Sequence, residues 1–340
     1  MSRSRLSRVL AEPGALPSEG AVALFGFPLD TGALELPRER LIVVQGFRPD
    51  HDAWAAAGFR VQPEAEGEFA AAAVSVPRTR AGARARIAQA AAHVPFGAPI
   101  WVDGQKTDGI DAVLRELKAR VALSDPLARA HGKAAWFASP GPEAFADWAG
   151  GWTAPAPGFA APPGAFSADA PDPGSVLLAG ALPPGLKGRV ADLGAGWGWL
   201  SAAILTRPGV TGVDVVEADH EALRAARTNL TDPRAAFHWA DARVFRPKAP
   251  LDAVVMNPPF HEGRSADPGL GAAFIRAAAG MLSTGGALWM VANRHLPYEA
   301  ALRAAFREVA DVAGDGRFKV MRAAHPVRGP SAARPDRKPR

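Results

Sequence analysis

Gly188-Arg189-Val190-Ala191-Asp192-Leu193-Gly194-Ala195-Gly196-Trp197-Gly198-Trp199 is the stretch on which the fold turns. An apolar run ends in an acid, glycines follow at once, and residues 199–205 continue with helical spacing. Glycines in such a place let the backbone turn sharply and approach a ligand that a Cβ would exclude. The helix start behind them offers free N–H groups to polar ligand atoms. Taken alone the pattern fits several nucleotide-type ligands and also a tight structural turn, so its neighbours have to decide.

Working outward, 210–217 reads as a strand, 218–230 as a helix and 237–239 as a short strand. Buried strands follow at 251–256 and 287–292, helices at 272–282 and 298–306, and a late strand at 317–323. Alternating strands and helices imply a mostly parallel sheet covered on both faces, with ligands at the carboxyl ends of its strands. The first half repeats the order more faintly. Strands are expected at 41–45 and 71–76, then Pro77-Arg78, a helix over 81–92, and a strand at 100–102. It carries no glycine-rich loop of this kind and no Asn before its proline. The reading is α/β: two tandem Rossmann-like domains, an old duplication whose N-terminal copy, 1–150, is degenerate and docks substrate. A Pro/Gly-rich linker is expected over 151–174, where regular helix and central strand are disfavoured. An active domain follows over 175–327 and a basic tail over 328–340.

Bulk properties narrow the classes. The 340 residues contain no cysteine, which excludes disulfides, thiolate zinc sites and a cysteine nucleophile. No His/Asp/Glu grouping has metal-ligand spacing, no apolar run is long enough to span a bilayer, and the start lacks a signal-peptide core. A cytoplasmic protein is expected. The net charge of +5 sits at the ends: Arg3, Arg5 and Arg8 at the start and a net +4 over 328–340 leave −2 for residues 9–327. The ends are expected to be flexible and to attract phosphate non-specifically. Arg78, Arg80, Arg84 and Arg86 form a further basic cluster, either an RNA contact or a solvated helix face.

Four features carry chemistry. The loop Asp192 with Gly194, Gly196 and Gly198 is the first. Glu217 is the second: at its strand end, 23 residues after Gly194, a carboxylate can accept from both ribose hydroxyls of an adenosine. Asp214, pointing to the opposite side, reads as a satisfied surface or edge carboxylate. Third, Asp241 can receive an adenine amino group while the Ala242 N–H meets a ring nitrogen. The fourth decides the chemistry: the strand 251–256 runs into Asn257-Pro258-Pro259-Phe260. Two prolines fix φ and remove two donors, leaving carbonyls that only accept. The Asn257 side-chain oxygen and the Pro258 carbonyl can grip both hydrogens of a planar –NH₂, and Phe260 offers a flat face for stacking. Such a grip holds an amine nitrogen towards an electrophilic methyl, a catalysis of positioning without metal or covalent intermediate.

The second half resembles the class I S-adenosylmethionine-dependent methyltransferases with an Asn-Pro-Pro-aromatic motif, and more narrowly the RsmC/RlmG-type ribosomal RNA guanine-N2 methyltransferases. The resemblance rests on Pro163-Gly164-Ala165-Phe166-Ser167 with Asp172, Gly174 and Ser175; on 192–198; on Asn257 to Phe260 with His261 and Gly263; on Ala292-Asn293-Arg294-His295-Leu296-Pro297-Tyr298; and on Gly316-Arg317-Phe318-Lys319-Val320. It implies S-adenosylmethionine as cofactor, Phe166 and Ser167 beside cofactor or target base, and methyl transfer to guanine N2 in ribosomal RNA, most simply 16S rRNA of the small subunit. Large-subunit rRNA, adenine N6 and a protein glutamine remain open as acceptors of the same chemistry, as does a non-catalytic ribosome assembly factor. Trp197 either covers the cofactor or packs between helix and sheet; His295 reads as structural, and His261 as a contact to the base or a neutral loop residue. A monomer with pseudo-dimeric halves is the expected assembly.

Overall fold

The computed structural model describes residues 5–10, 12, 14–29, 38–259, 261–262, 265–266 and 268–327. Phe260 and the basic tail 328–340, both singled out above, lie outside them.

The first half is a seven-stranded sheet built from Val22–Phe25 (β1), Leu41–Val44 (β2), Arg60–Gln62 (β3), Ala71–Ser75 (β4), Pro99–Gln105 (β5), Leu127–Arg129 (β6) and Gly132–Ala138 (β7). Its order is β3-β2-β1-β4-β5-β7-β6. Helices Arg5–Leu10 (α1), Arg48–Ala56 (α2), Arg80–Ala92 (α3) and Ile110–Lys118 (α4) cover it. The hairpin Thr153–Ala156 (β8) with Phe159–Ala161 (β9) follows, then helices Pro173–Ala181 (α5), Trp199–Leu205 (α6) and His220–Asn229 (α7). The second sheet comprises Gly188–Leu193 (β10), Val210–Glu217 (β11), Ala235–Trp239 (β12), Leu251–Met256 (β13), Leu282–Asn293 (β16), Phe306–Gly314 (β17) and Phe318–Pro326 (β18). A short pair, His261–Glu262 (β14) with Ser265–Ala266 (β15), and helices Pro268–Met281 (α8) and Glu299–Ala305 (α9) complete it.

The second sheet is ordered β12-β11-β10-β13-β16-β18-β17, the same arrangement as the first element for element. Both are parallel through five strands and end in an antiparallel pair. Two sheets of identical order are the physical content of the expected duplication. The central strands, β1, β4, β10 and β13, are buried on both faces and read as apolar runs, as parallel strands covered by helices must.

Three departures from the sequence reading have local causes. The central strand β1 was not expected, although Val22–Phe25 is a short apolar run followed by a glycine. Helix was expected to run to 306, where β17 begins. As an edge strand β17 is mostly exposed and lacks the alternation that marks a strand. Arg5 does not belong to a free basic end. Arg5 lies in α1 at 6% exposure, with Nε donating to Asp103 Oδ2 at 2.7 Å and Nη2 to Oδ1 at 2.8 Å. That bidentate pair, completed by the Arg129 carbonyl at 2.6 Å, ties α1 to the sheet.

The Pro/Gly-rich stretch is more than a spacer. The β8–β9 hairpin packs on α7: Ala160 exchanges hydrogen bonds with the Asn229 amide, N–H to Oδ1 and Nδ2 to O, each 2.8 Å. Phe159 meets the Trp197 ring edge-on at 5.4 Å between centroids. The two halves also touch through two backbone–backbone hydrogen bonds and one from a tryptophan side chain. Arg48 N donates to Ala218 O at 2.8 Å, His220 N to Gly46 O at 2.9 Å, and Trp239 Nε1 to Gly46 O at 3.0 Å.

Candidate active site

The site lies at the carboxyl ends of β10, β11 and β13. Gly194 (φ +76°) and Gly196 (φ +57°) take the left-handed conformation, and Gly198 (φ +90°) caps α6. A Cβ on Gly196 would meet nothing within 4 Å, and one on Gly194 would only graze Phe274 at 4.0 Å. The loop is therefore bent around open space, whereas at Gly198 a Cβ would crowd Leu230 and Ala226. The glycines divide their work: two border open space, one permits close helix packing.

Asp192, at the end of β10, is 1% exposed. Its Oδ2 accepts from Ser201 Oγ at 2.6 Å, while Oδ1 is buried without a hydrogen-bond partner among the described residues. Burial, reinforced by the charge of Glu217 and opposed by the Ser201 hydrogen bond, pushes its carboxyl up to about 7. An unpartnered buried acceptor beside an open glycine loop fits a ligand that brings a donor. Glu217 closes the loop from β11, Oε2 accepting from Gly196 N and Oε1 from Asp219 N, both at 2.8 Å. Burial raises its pKa, offset by these N–H groups. Each oxygen keeps a lone pair, which suits further hydroxyl donors. Asp214 is 8% exposed and is satisfied by His238 at 2.8 Å and Arg189 at 3.3 Å, away from the site.

Asp241 follows β12, and its carboxylate is held by Arg243 through the backbone N–H at 2.8 Å and the guanidinium at 2.8–2.9 Å. It therefore presents a compensated charge rather than a bare carboxylate. Ala242 is buried in the core under β13.

The Asn257 amide is oriented by residues 82 and 85 positions away. Its Nδ2 donates to Asp172 Oδ2 at 2.8 Å and to Ser175 Oγ at 2.9 Å. Both amide hydrogens are thereby consumed, so the oxygen must face the other way. Asn257 Oδ1 is buried and has no hydrogen-bond partner among the described residues. Asp172 is also the N-cap of α5, accepting from Ser175 N at 2.8 Å ahead of Pro173. One carboxylate thus starts a helix and aims an amide. Sequence reading took Asp172 and Ser175 only as matching residues; a helix start is legible there, but the reach to Asn257 is not.

A cavity lined by Phe166, Ser167, Asp172, Ser175, Gly194, Gly196 and Asn257, among others, joins the glycine loop to the Asn257 amide. Phe166 is 64% exposed at its mouth, and Ser167 adopts φ +54°, a left-handed conformation uncommon for serine. Trp197 is 4% exposed, donates Nε1 to the Phe166 carbonyl at 3.1 Å and packs on Phe159, and it also lines the cavity. The basic cluster on α3 is largely spoken for: Arg84 pairs with Glu116 at 2.8 Å, Arg78 lies 3.7 Å from Asp108, and Arg86 turns inward to the Ser75 carbonyl at 2.7 Å. His295 is exposed. No His/Asp/Glu group among the described residues has the geometry to hold a metal, and no described helix is long and apolar enough to cross a membrane.

Comparison with known proteins points to one family. The methyltransferase small domain family matches residues 157–322, from the β8–β9 hairpin through β18. The ribosomal RNA small subunit methyltransferase C of Cronobacter sakazakii is 31% identical over 250 residues, 73% of either chain. That of Salmonella arizonae is 37% identical over 166 residues, 47% of either chain. The structure of the T. thermophilus 16S rRNA N2 methyltransferase RsmC, in complex with AdoMet and guanosine, superposes with a TM-score of 0.77 at 25% identity over 95% of this chain and 92% of that one. With its doubled sheet, its glycine loop and its oriented Asn257 amide, the chain belongs to the ribosomal RNA small subunit methyltransferase C family of S-adenosylmethionine-dependent methyltransferases.

Proposed function

We propose that this enzyme methylates the exocyclic N2 amine of a guanine in 16S ribosomal RNA. The observation that carries the reading is the Asn257 amide, whose nitrogen is consumed by Asp172 and Ser175 and whose oxygen is left as an unpartnered acceptor. A buried acceptor without a donor costs about 1–3 kcal/mol, a cost an incoming N–H removes. Asn257 Oδ1 and the Pro258 carbonyl would take the two amine hydrogens, and Pro259 adds no N–H to compete. Held this way, the amine cannot rotate, and its N–H bonds are polarised as the nitrogen gains positive charge. Phe166, exposed at the cavity mouth, and Phe260 supply stacking faces for the base.

When bound, S-adenosylmethionine supplies an electrophilic methyl. The Gly194–Gly196 loop and Asp192 would hold its amino-acid end, Glu217 its ribose hydroxyls, and Asp241 with the Ala242 N–H its adenine edge. Ser167 would lie between cofactor and base. The domain division follows from the same reading: 1–150 docks RNA, 151–174 joins the halves and shapes the rim, 175–327 performs the transfer, and 328–340 adds phosphate attraction. The enzyme works in the cytoplasm as a monomer, its two halves packed as a pseudo-dimer.

Labelled-methyl transfer to separated small subunits, large subunits, naked rRNA and release factor tests the assignment. Label is expected in 16S rRNA, on guanine N2 after nucleoside digestion. Label in protein alone, or on adenine, would sink it.

A further inference from the structure

Two segments of the resemblance take no part in the site so far: Asn293-Arg294-His295, at the end of β16, and Gly316-Arg317-Phe318, where the β17–β18 turn enters β18. The fold brings them together. Arg294 N donates to Arg317 O at 2.9 Å, and Arg294 Nε to Asp315 O at 2.8 Å. Asp315 Oδ1 accepts from the Arg317 and Phe318 backbone N–H groups, both at 2.7 Å, which fixes the turn. Asn293, Arg294, His295, Gly316 and Arg317 line an open groove of ≈ 520 Å³.

The charges in this groove differ from those that open α3. Arg294 is anchored by backbone carbonyls, which orient a guanidinium without neutralising it. Arg317 lies 5.1 Å over the Phe318 ring and is exposed, and no carboxylate forms an ion pair with Arg294, His295 or Arg317 among the described residues. The Asp315 carboxylate is turned into the backbone N–H groups, which with both arginines keep its pKa low, so it offsets one of the two guanidinium charges. By contrast, the exposed arginines opening α3 have Glu116 and Asp108 beside them.

The groove also sits beside the chemistry. Met256 pairs with Met290 across β13 and β16, so Asn257 stands level with Val291 and Asn293 lies two residues on, about 7 Å along the strand. Behind the groove, a Cβ on Gly174 would come within 3.2 Å of the Phe318 ring. Gly174 lies between Asp172 and Ser175, which aim the Asn257 amide.

We propose that this groove binds the phosphate backbone of the nucleotide next to the target guanine. A base presented to the Asn257 cleft must leave its stack, and the flanking backbone then needs a fixed hold close by. Two guanidinium forks at one turn match phosphate oxygens bidentately, and the anchoring of Arg294 to carbonyls means that fork is pre-organised. Asn293 and His295 add hydrogen-bonding groups at the groove's edge.

This proposal rests on the RNA reading above, and the experiment separates the two. Full-length enzyme carrying Arg317→Glu is compared with the unaltered chain for AdoMet affinity, for methyl transfer to small subunits and for binding to a 16S rRNA fragment across a salt series. Expected are an unchanged AdoMet Kd, kcat within about twofold, KM for RNA raised about tenfold, and a salt slope shallower by about 1. Arg317→Lys keeps the charge without the fork and is expected to fall between. An unchanged KM and salt slope with AdoMet binding intact would overturn the proposal, as would a loss confined to kcat. If the unaltered enzyme labels no ribosomal RNA, the functional reading itself fails.

Discussion

After β1 the first half reads Gly26-Phe27-Pro28; after β10 the second reads Gly194-Ala195-Gly196. The registers of the two sheets put these loops in equivalent places, since Phe25 pairs with Val44 and Val74 as Leu193 pairs with Val216 and Met256. Glu217 of the second half then corresponds to Gln45 of the first, and Asn257 to Ser75. Gln45 keeps half of the pattern: its Oε1 accepts from Phe47 N at 3.0 Å, as Glu217 Oε1 accepts from Asp219 N. The other half is inverted. Gln45 Nε2 donates to the Phe27 carbonyl at 3.1 Å, where Glu217 Oε2 accepts from Gly196 N. Arg86 also crowds the loop itself, for a Cβ on Gly26 would lie 2.1 Å from its guanidinium, although a cavity of about 510 Å³ remains beside Gln45. Loss of chemistry took little: an amide for a carboxylate, a phenylalanine in the loop, an arginine folded inward.

The comparison can be broken by writing the first half's residues into the second. Asn257→Ser is expected to lower single-turnover methyl transfer about 10²–10³-fold, with AdoMet affinity changed less than about threefold. Near-normal turnover would mean the amide does not hold the amine. Glu217→Gln replaces an acceptor by a donor facing the Gly196 N–H, and AdoMet binding by calorimetry is expected to weaken about 10–100-fold. A variant that bound normally would show that the inversion between the halves is incidental.

A third substitution asks whether Asp172 is a positioning residue or only a cap. Asp172→Ala is expected to cost about 1 kcal/mol of stability through the lost cap and about tenfold in kcat through the loosened Asn257 amide. Asp172→Asn can still accept from Ser175 N and Asn257 Nδ2, so it should restore most of kcat; equal losses in both variants would leave Asp172 without a role in aiming Asn257. The smallest effect is thermodynamic. Because Asp192 titrates near pH 7 in the fold against 3.8 ordinarily, the native state holds a proton between those values that the unfolded chain releases. Its contribution to stability is full below about pH 4 and is lost as pH rises through 7. Asp192→Asn should therefore gain on the unaltered, ligand-free protein by on the order of 2 kcal/mol between pH 5 and pH 8 in melting experiments. Parallel pH profiles would contradict the buried, unpartnered Oδ1.

What the sequence disclosed and what it hid divide along physical lines. Buried parallel strands such as β11 and β13 were legible to the residue, because burial on both faces leaves a run dominated by apolar side chains and bounded by turns. The edge strand β17 was not, since solvent imposes no pattern on it. Within the site, Glu217 followed from its strand end and its spacing. The Asp172–Asn257 hydrogen bond did not, because nothing local marks a partner 85 residues away. The Pro/Gly-rich stretch read as a spacer since proline density excludes regular structure, yet a bent hairpin held by Asn229 needs little regularity to pack.

The contact between Gly46, Arg48, Ala218 and His220 has a consequence for how such a chain can age. Those bonds hold the backbone directly after Glu217. A silent copy is usually free to shrink, but here erosion from the front would unbrace the very turn that presents the carboxylate. The first half could forget how to do chemistry; it could not be pruned, because its surviving sister leans on it at the one bend that must not move.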